Sequence, residues 1–443
     1  MRILIDGGII ISGDRVIKDG SVLIEDNKIV KVGRREAVKK EARGAERINA
    51  KNKLVLPGLI NTHTHISMTL LRGYADDYPL QEWLSRWIWP VEEKLRPDDI
   101  ELGAYLGALE SLMMGVTTVC TLYHYHPDKN EASGILKAGL RGVVGIAVFS
   151  WKREECLRNV RNALSRWHGK EGLIRIAVGP HAPYTVDPDL WVEVYELRKW
   201  ADEKYGDKGK VLITTHVAED PNEAKITSEK FGVEIPGNSM FKYLDNLGVL
   251  DQNVLAAHAI HVTDDDINVI KRTGVKISHN PISNMKLGMG IAPINKMLLR
   301  GINVSLGTDG PASNNTLDMF ETMKIAALLQ KVVSMDPTAL PAKTAFKMAT
   351  EYGATALHIP NVGRIEEGYL ADIILVDILR PHLMPLYDPY SHLVYSVRSL
   401  DVDTVIVNGK ILVRNKKLVS VNLDDIFKEV YKAVDRLIGD IKW

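Results

Sequence analysis

The chain has 443 residues, 45% of them hydrophobic and 25% charged, which is the make-up of an ordinary globular protein long enough for one large domain and a smaller companion. Lys+Arg and Asp+Glu each number 56, so no excess of either sign argues for a nucleic-acid groove or an anionic membrane surface, and a small molecule is the expected partner. Only Cys120 and Cys156 are present, too few and too far apart for a disulfide framework or a thiolate metal site.

The first twenty residues, MRILIDGGIIISGDRVIKDG, lack the long apolar core of a secretory leader, and no stretch reaches the roughly 18 apolar residues of a membrane span. A cytoplasmic protein is expected. From Arg2 to about Leu56 short alternating runs such as RILIDGGIII, GSVLIED and KIVKVG are broken by Gly and Asp, the texture of a small antiparallel sheet. That texture returns in ADIILVD (371–377) and in DTVIVNGKILV (403–413), where Asn408-Gly409 suits a two-residue hairpin turn. A small β-sandwich-like domain is therefore expected from both chain ends, residues 1–56 and 361–420, with everything between inserted into it.

The span 57–360 alternates β-rich apolar runs with longer helical stretches. Eight such runs occur: 55–63, 116–122, 141–148, 174–179, 211–216, 254–258, 275–279 and 302–309. Eight βα units over this length predict an α/β protein built on a (β/α)8 TIM barrel, not a doubly wound sheet. The last segment, 421–443, spaces its apolar residues along one helical face and is expected to be a packing helix without chemistry.

Barrel active sites form where strand C-termini meet the following loops, and several runs end at groups suited to metal or proton chemistry. The first gives His63 and His65, the fourth is followed by His181, the fifth ends at His216, the sixth at His258, the seventh at His279 and the eighth at Asp309. Residues i and i+2 of a strand share a face, so His63 and His65 can reach one ion. Alone, His-x-His is a weak signal, His216 or His258 reads as an interior histidine, and Asp309 before Gly310 reads as a turn or cap residue. Together, at the proper strand ends, they predict a metal site. Neutral imidazoles with a carboxylate suit Zn²⁺, while Fe²⁺, Mn²⁺ or Ni²⁺ could use the same ligands. His124, His126, His168, His358, His382 and His392 lack such placement and are expected to be structural.

PGLINTHTH, GPHAPY, THVAED, AAHAIH, SHNPISNMKLGMGIAP and LGTDGPASNN, in this order from about residue 54 to 330, resemble the amidohydrolase superfamily. The branch they resemble contains methylthioadenosine/S-adenosylhomocysteine deaminases and triazine chlorohydrolases. By that resemblance one Zn²⁺ per subunit would be held by His63, His65, His216 and Asp309. The carboxylated lysine of binuclear relatives has no counterpart in IRIAVGPHAPY, which implies a mononuclear site. Asp309 would accept the proton of an attacking water, His258 would orient that water and stabilise the tetrahedral centre, and Glu219 would protonate the ring nitrogen beside the attacked carbon.

The same resemblance makes Glu92 the acceptor of the ribose hydroxyls and His181 a substrate contact, with Trp83 and Ser313 lining the base or sugar pocket. The bland alternatives are a surface acidic pair for Glu92, a solvated loop carboxylate for Glu219 and a core position for Trp83. The family's arginine clamp for a homocysteine carboxylate falls at Ile146, and neither Arg153 nor Arg158 clearly replaces its second member. The resemblance therefore implies deamination of an adenosine-type nucleoside, with methylthioadenosine, 5′-deoxyadenosine or adenosine preferred over S-adenosylhomocysteine. Guanine deamination, triazine dechlorination and a non-catalytic binding module are the alternatives. It also implies a homo-oligomer, a dimer or tetramer, although no interface signal stands out.

Overall fold

The computed structural model describes residues 1–439, so the end of the expected C-terminal helix, 440–443, lies outside the described residues. Eight parallel strands form a (β/α)8 barrel: Leu59–Thr64, Val116–Tyr123, Arg141–Val148, Ile174–Pro180, Ile213–Val217, Val254–His258, Lys276–His279 and Val304–Leu306. Each overlaps one of the eight apolar runs, and each pairs with its sequence neighbour in parallel register. Their residues are almost all buried because side chains on one face fill the barrel and those on the other pack against helices.

The seam between the eighth strand and the first is closed by side-chain and backbone hydrogen bonds. The Thr62 hydroxyl donates to the Leu306 carbonyl at 2.9 Å, Asn61 Nδ2 donates to Thr308 Oγ1 at 2.7 Å, and the Asp309 N–H donates to the His63 carbonyl at 2.9 Å. This seam brings Asp309 beside His63.

The chain ends share a second, nine-stranded sheet. Lys53–Pro57 pairs antiparallel with Ile373–Asp377, joining the N-terminal strands to the hairpin of Val402–Val407 and Lys410–Arg414. Asn408 and Gly409 both have positive φ, 49° and 78°, as the two-residue turn requires. The sheet is mixed, where the alternating runs suggested a wholly antiparallel one: Glu46–Asn49 and Lys53–Pro57 run parallel to Arg2–Ser12, because the chain crosses through the helix Arg35–Glu41 before returning. Its core is rich in Ile and Val, including Ile3, Ile5, Ile24, Val55 and Ile373.

The helix Leu423–Ile438 lies against Pro97–Met113, with Arg436 paired to Asp99 and Leu437 inserted among Trp83, Val91 and Ile100. Among the described residues no helix is long and apolar enough to cross a membrane.

Candidate active site

The barrel gathers its histidines at the C-terminal ends of the strands. His63, His216 and His258 lie on the first, fifth and sixth strands, and His65 follows the first by one residue. His258 and Asp309 both adopt left-handed backbone, φ 73° and 65°, which turns the chain sharply as it leaves each strand.

Hydrogen bonds fix the tautomers. His65 Nδ1 donates to the Leu122 carbonyl and His216 Nδ1 to the His181 carbonyl, both at 2.6 Å. Each Nε2 is thereby left with a lone pair, yet the two Nε2 atoms face each other at 3.2 Å, and Asp309 Oδ1 lies 3.2 Å from that of His65 and 3.5 Å from that of His63. His258 Nδ1 is bonded to Asn284 Oδ1 at 2.8 Å. The Nε2 atoms of His63 and His258 are buried with no hydrogen-bond partner among the described residues.

Converging lone pairs and a carboxylate repel unless a cation lies among them, so the donor set fits a divalent metal ion. One donor atom each from His63, His216, His258 and Asp309 lie within 4.8 Å of one another, and His65 Nε2 joins them at the distances above. Five donors thus meet where four ligands were expected; the fifth, His258, also faces Glu219, with Nε2 and Oε1 3.6 Å apart.

Burial pushes His63 down to about 4 and His216 well below its ordinary range, so both rings stay neutral and free to ligate. Burial also opposes charge on His65, but Asp309 and the Leu122 carbonyl carry that ring up to about 9; the anion that draws a proton there would equally draw a metal cation. Burial raises the Asp309 carboxyl, yet the His63 and His65 rings, with Nε2 3.5 and 3.2 Å from Oδ1, hold it well below the carboxylate range. Ser283 and Ser313 both donate to its Oδ2, at 2.6 and 3.0 Å, and the Gly310 N–H donates to Oδ1 at 2.8 Å.

A single pocket opens over this cluster. His181, Glu219, Glu92, Trp83 and Ser313 all line it beside His65, His216 and Asp309. Glu219 is buried, and burial raises its pKa against the pull of His258. Glu92 reaches in from the segment that follows Pro79. That segment is α-helical over Leu80–Glu82, π-helical over Trp83–Ile88 and α-helical over Trp89–Glu92. Pro90 explains the wide turn: its ring would clash with the carbonyl four residues back, and the Trp89 N–H reaches instead to Leu84. The Ser313 hydroxyl also donates toward the Gly310 carbonyl at 3.2 Å, so its donor is shared with the turn that carries Asp309.

One placement differs from expectation, and two more bear on the arginine clamp. His124, expected to be structural, lines the pocket with Nε2 3.4 Å from Glu92 Oε2; its strand ends at Tyr123, so the side chain follows directly from the strand tip. Ile146 is buried with the helix layer, and Ala147 and Phe149 form the pocket wall at that level. Arg153 is bonded to Glu193 and Arg158 is exposed, so neither enters the pocket. The apolar walls from Met68, Leu84, Ile88 and Phe149 carried no recognisable motif, and Leu287, within SHNPISNMKLGMGIAP, was not singled out there. His279 is fully buried at the end of the seventh strand, outside this lining.

Comparison with known proteins agrees with this geometry. The chain is 42% identical over 401 residues to a 5-methylthioadenosine/S-adenosylhomocysteine deaminase of Caldanaerobacter subterraneus subsp. tengcongensis, covering 89% of each chain. It is 42% identical over 408 residues to a 5′-deoxyadenosine deaminase of Methanocaldococcus jannaschii, covering 91% of this chain and 93% of that one. The crystal structure of an adenosine deaminase from Xanthomonas campestris with bound zinc superposes with a TM-score of 0.91 at 31% identity, over 98% of both chains. Residues 54–412 match the model of the amidohydrolase family, a span that contains every strand of the barrel and every residue of the site, and the chain belongs to that family.

Proposed function

We propose that this enzyme hydrolytically removes the exocyclic amino group of an adenosine-type nucleoside, releasing the inosine analogue and ammonia, with Zn²⁺ as its resident metal. The observation that carries the reading is the meeting, in one pocket, of an imidazole–carboxylate cluster suited to a cation, the buried acid Glu219 and a second carboxylate, Glu92, whose side chain is 7% exposed. Relatives named as deaminases of methylthioadenosine, S-adenosylhomocysteine and 5′-deoxyadenosine supply the substrate class.

His63, His65, His216 and Asp309 would hold the ion, which when bound supplies the Lewis acidity that makes water nucleophilic at neutral pH. Asp309, kept ionised by its histidine and serine partners, accepts the proton that the attacking water gives up. His258, with Nδ1 tied to Asn284, presents Nε2 to the developing tetrahedral centre. Glu219, its pKa raised by burial, delivers a proton to the ring nitrogen beside the attacked carbon; the proton taken by Asp309 then passes to the amino group, which leaves as ammonia, while the hydroxyl proton of the tetrahedral centre returns to Glu219.

Glu92 accepts from the ribose hydroxyls, while His181, Trp83 and Ser313 shape the pocket around base and sugar. No Arg or Lys lines this pocket among the described residues, and a homocysteine carboxylate finds no bidentate partner there. Methylthioadenosine, 5′-deoxyadenosine or adenosine is therefore the preferred substrate, ahead of S-adenosylhomocysteine. The enzyme is expected to act as a homodimer or homotetramer.

Ammonia release from methylthioadenosine, 5′-deoxyadenosine, S-adenosylhomocysteine, adenosine and guanine, with zinc-loaded protein, tests the reading. An adenosine substrate should be turned over, and Glu219→Gln should lower kcat by roughly 10²- to 10⁴-fold. Release from guanine alone would replace the substrate class, and a highest kcat/KM for S-adenosylhomocysteine would overturn the preference.

A further inference from the structure

Glu223 opens the helix Glu223–Phe231, four residues beyond Glu219. Its side chain is buried and turned back toward the chain that precedes it. Oε1 accepts the Ala218 N–H at 3.1 Å and Oε2 accepts the Glu219 N–H at 2.9 Å. Ala218 has φ 56°, a left-handed conformation that a residue with a Cβ rarely adopts unless its surroundings hold it there. Successive N–H groups in such a turn point to one side and form a concavity suited to converging acceptors, and here the two oxygens of the Glu223 carboxyl fill it.

The other side of the same turn is held as well. The Ala218 carbonyl accepts N–H groups from Ile260 and His261 at 2.8 and 2.9 Å, and the Val217 carbonyl accepts the Ala259 N–H at 3.1 Å. The turn is therefore gripped by the exit of the sixth strand on one side and by Glu223 on the other. Its product is the direction of the Glu219 side chain, which enters the pocket toward His258.

We infer that Glu223 is the positioning residue of Glu219: by binding the N–H groups of Ala218 and Glu219 it fixes the strained turn that aims the acid at the substrate ring. The inference rests on the proposed role of Glu219 and adds to it a residue that never meets the substrate. Glutamine is the sharp substitution, because its amide keeps one acceptor and sets an NH₂ donor against the other buried N–H.

The test compares wild type, Glu223→Gln, Glu219→Gln and the double variant with methylthioadenosine, together with bound zinc and amide hydrogen exchange over 217–220. Glu223→Gln should lower kcat roughly 10- to 100-fold, with KM within about twofold and bound zinc unchanged. In the Glu219→Gln background the same change should cost less than about twofold, since it acts only through the missing acid. Exchange at the Ala218 and Glu219 amides should quicken. Wild-type kcat in Glu223→Gln, an equal loss in both backgrounds, or zinc lost along with activity would overturn the inference. Full turnover by Glu219→Gln would overturn the acid role and this inference together, whereas an inactive Glu219→Gln beside an unimpaired Glu223→Gln overturns this inference alone. Should Glu223→Gln not accumulate as folded protein, Glu223→Asp keeps both acceptors one methylene shorter and should show a smaller loss, again confined to kcat.

Discussion

Glu92 illustrates how one side chain acquires its property from its neighbours. Burial pushes its carboxyl up, but the His124 ring, with Nε2 3.4 Å from Oε2, holds it below the usual range, so it presents an ionised acceptor inside an apolar pocket. An ionised carboxylate offers a separate oxygen to each hydroxyl of a cis-diol, whereas an amide offers one oxygen and sets a donor in place of the other. Glu92→Gln should therefore raise KM for adenosine-type ribosides roughly 10- to 100-fold while kcat changes little, and a 2′,3′-dideoxy analogue should be handled alike by both proteins. Equal losses on the riboside and the dideoxy analogue would remove the diol from its role. The metal cluster makes a second residue-level prediction: the apparent Tm should rise with free zinc, by the equivalent of about 4 kcal/mol at a thousandfold excess over Kd, and His216→Ala should abolish the rise. A Tm indifferent to zinc would argue against the cluster as a metal site. The histidines of this cluster could be read from sequence because each sits at a strand end, where the two-residue period assigns it a face. His124 was missed because the second apolar run reads as ending at Leu122, although the strand runs to Tyr123 and His124 follows it as directly as His65 follows its own; Glu223 could not be read, because its position depends on a turn that folds back and leaves no periodic trace.

At the scale of elements, the eight strands were legible because a parallel barrel buries both faces and so writes each strand as a continuous apolar run. The π-turn at Trp83–Ile88 was not, although Pro90 marks the place where a regular helix must fail. Interlocking of elements depends on single side chains that no pattern announces, and His168 is one. It ends the helix Arg153–Trp167, where Nδ1 accepts the Ile176 N–H at 3.0 Å and Nε2 donates to the Gly209 carbonyl at 2.9 Å. It thereby ties the fourth strand to the approach of the fifth. One nitrogen must accept and the other donate, so the ring has to be neutral, and burial, aided by Arg175, lowers its pKa from the ordinary value. The folded state then binds fewer protons than the unfolded chain, whose imidazoles titrate near 6.5. The contribution is fully present above about pH 6.5 and is lost as pH falls through that value toward the lower folded pKa. His168→Leu should cost about 1–3 kcal/mol at pH 8, and the gap to wild type in denaturant unfolding should narrow by pH 5. A gap that is constant or widens toward acid would show that the ring is not held neutral.

For the whole molecule, the barrel and the terminal sheet must stay in register although the polypeptide leaves one to complete the other. A buried ion pair joins them. Arg141, at the start of the third barrel strand, binds Asp372 through Nε at 2.9 Å and Nη2 at 3.1 Å, and both side chains are less than 5% exposed. Asp372 also accepts the Asn408 N–H at 2.7 Å, and its carbonyl accepts the Gly58 N–H at 2.9 Å, so one residue fastens the terminal hairpin and the entry to the first strand. Removing one member of such a pair leaves the other charge buried and uncompensated, whereas replacing both by apolar groups of similar size removes the desolvation cost as well. Asp372→Ala should therefore lose about 3–5 kcal/mol in denaturant unfolding, and the double variant Arg141→Met, Asp372→Leu should recover most of it. Arg141 lies at the N-terminal end of its strand, opposite the catalytic face, so kcat should be unchanged in all three proteins at a temperature where each is folded. A double variant as unstable as Asp372→Ala would show that the bond from the Asn408 N–H to the Asp372 side chain, and not the charge it neutralises, holds the two sheets together; a fall in kcat without loss of fold would show that the terminal sheet reaches the chemistry.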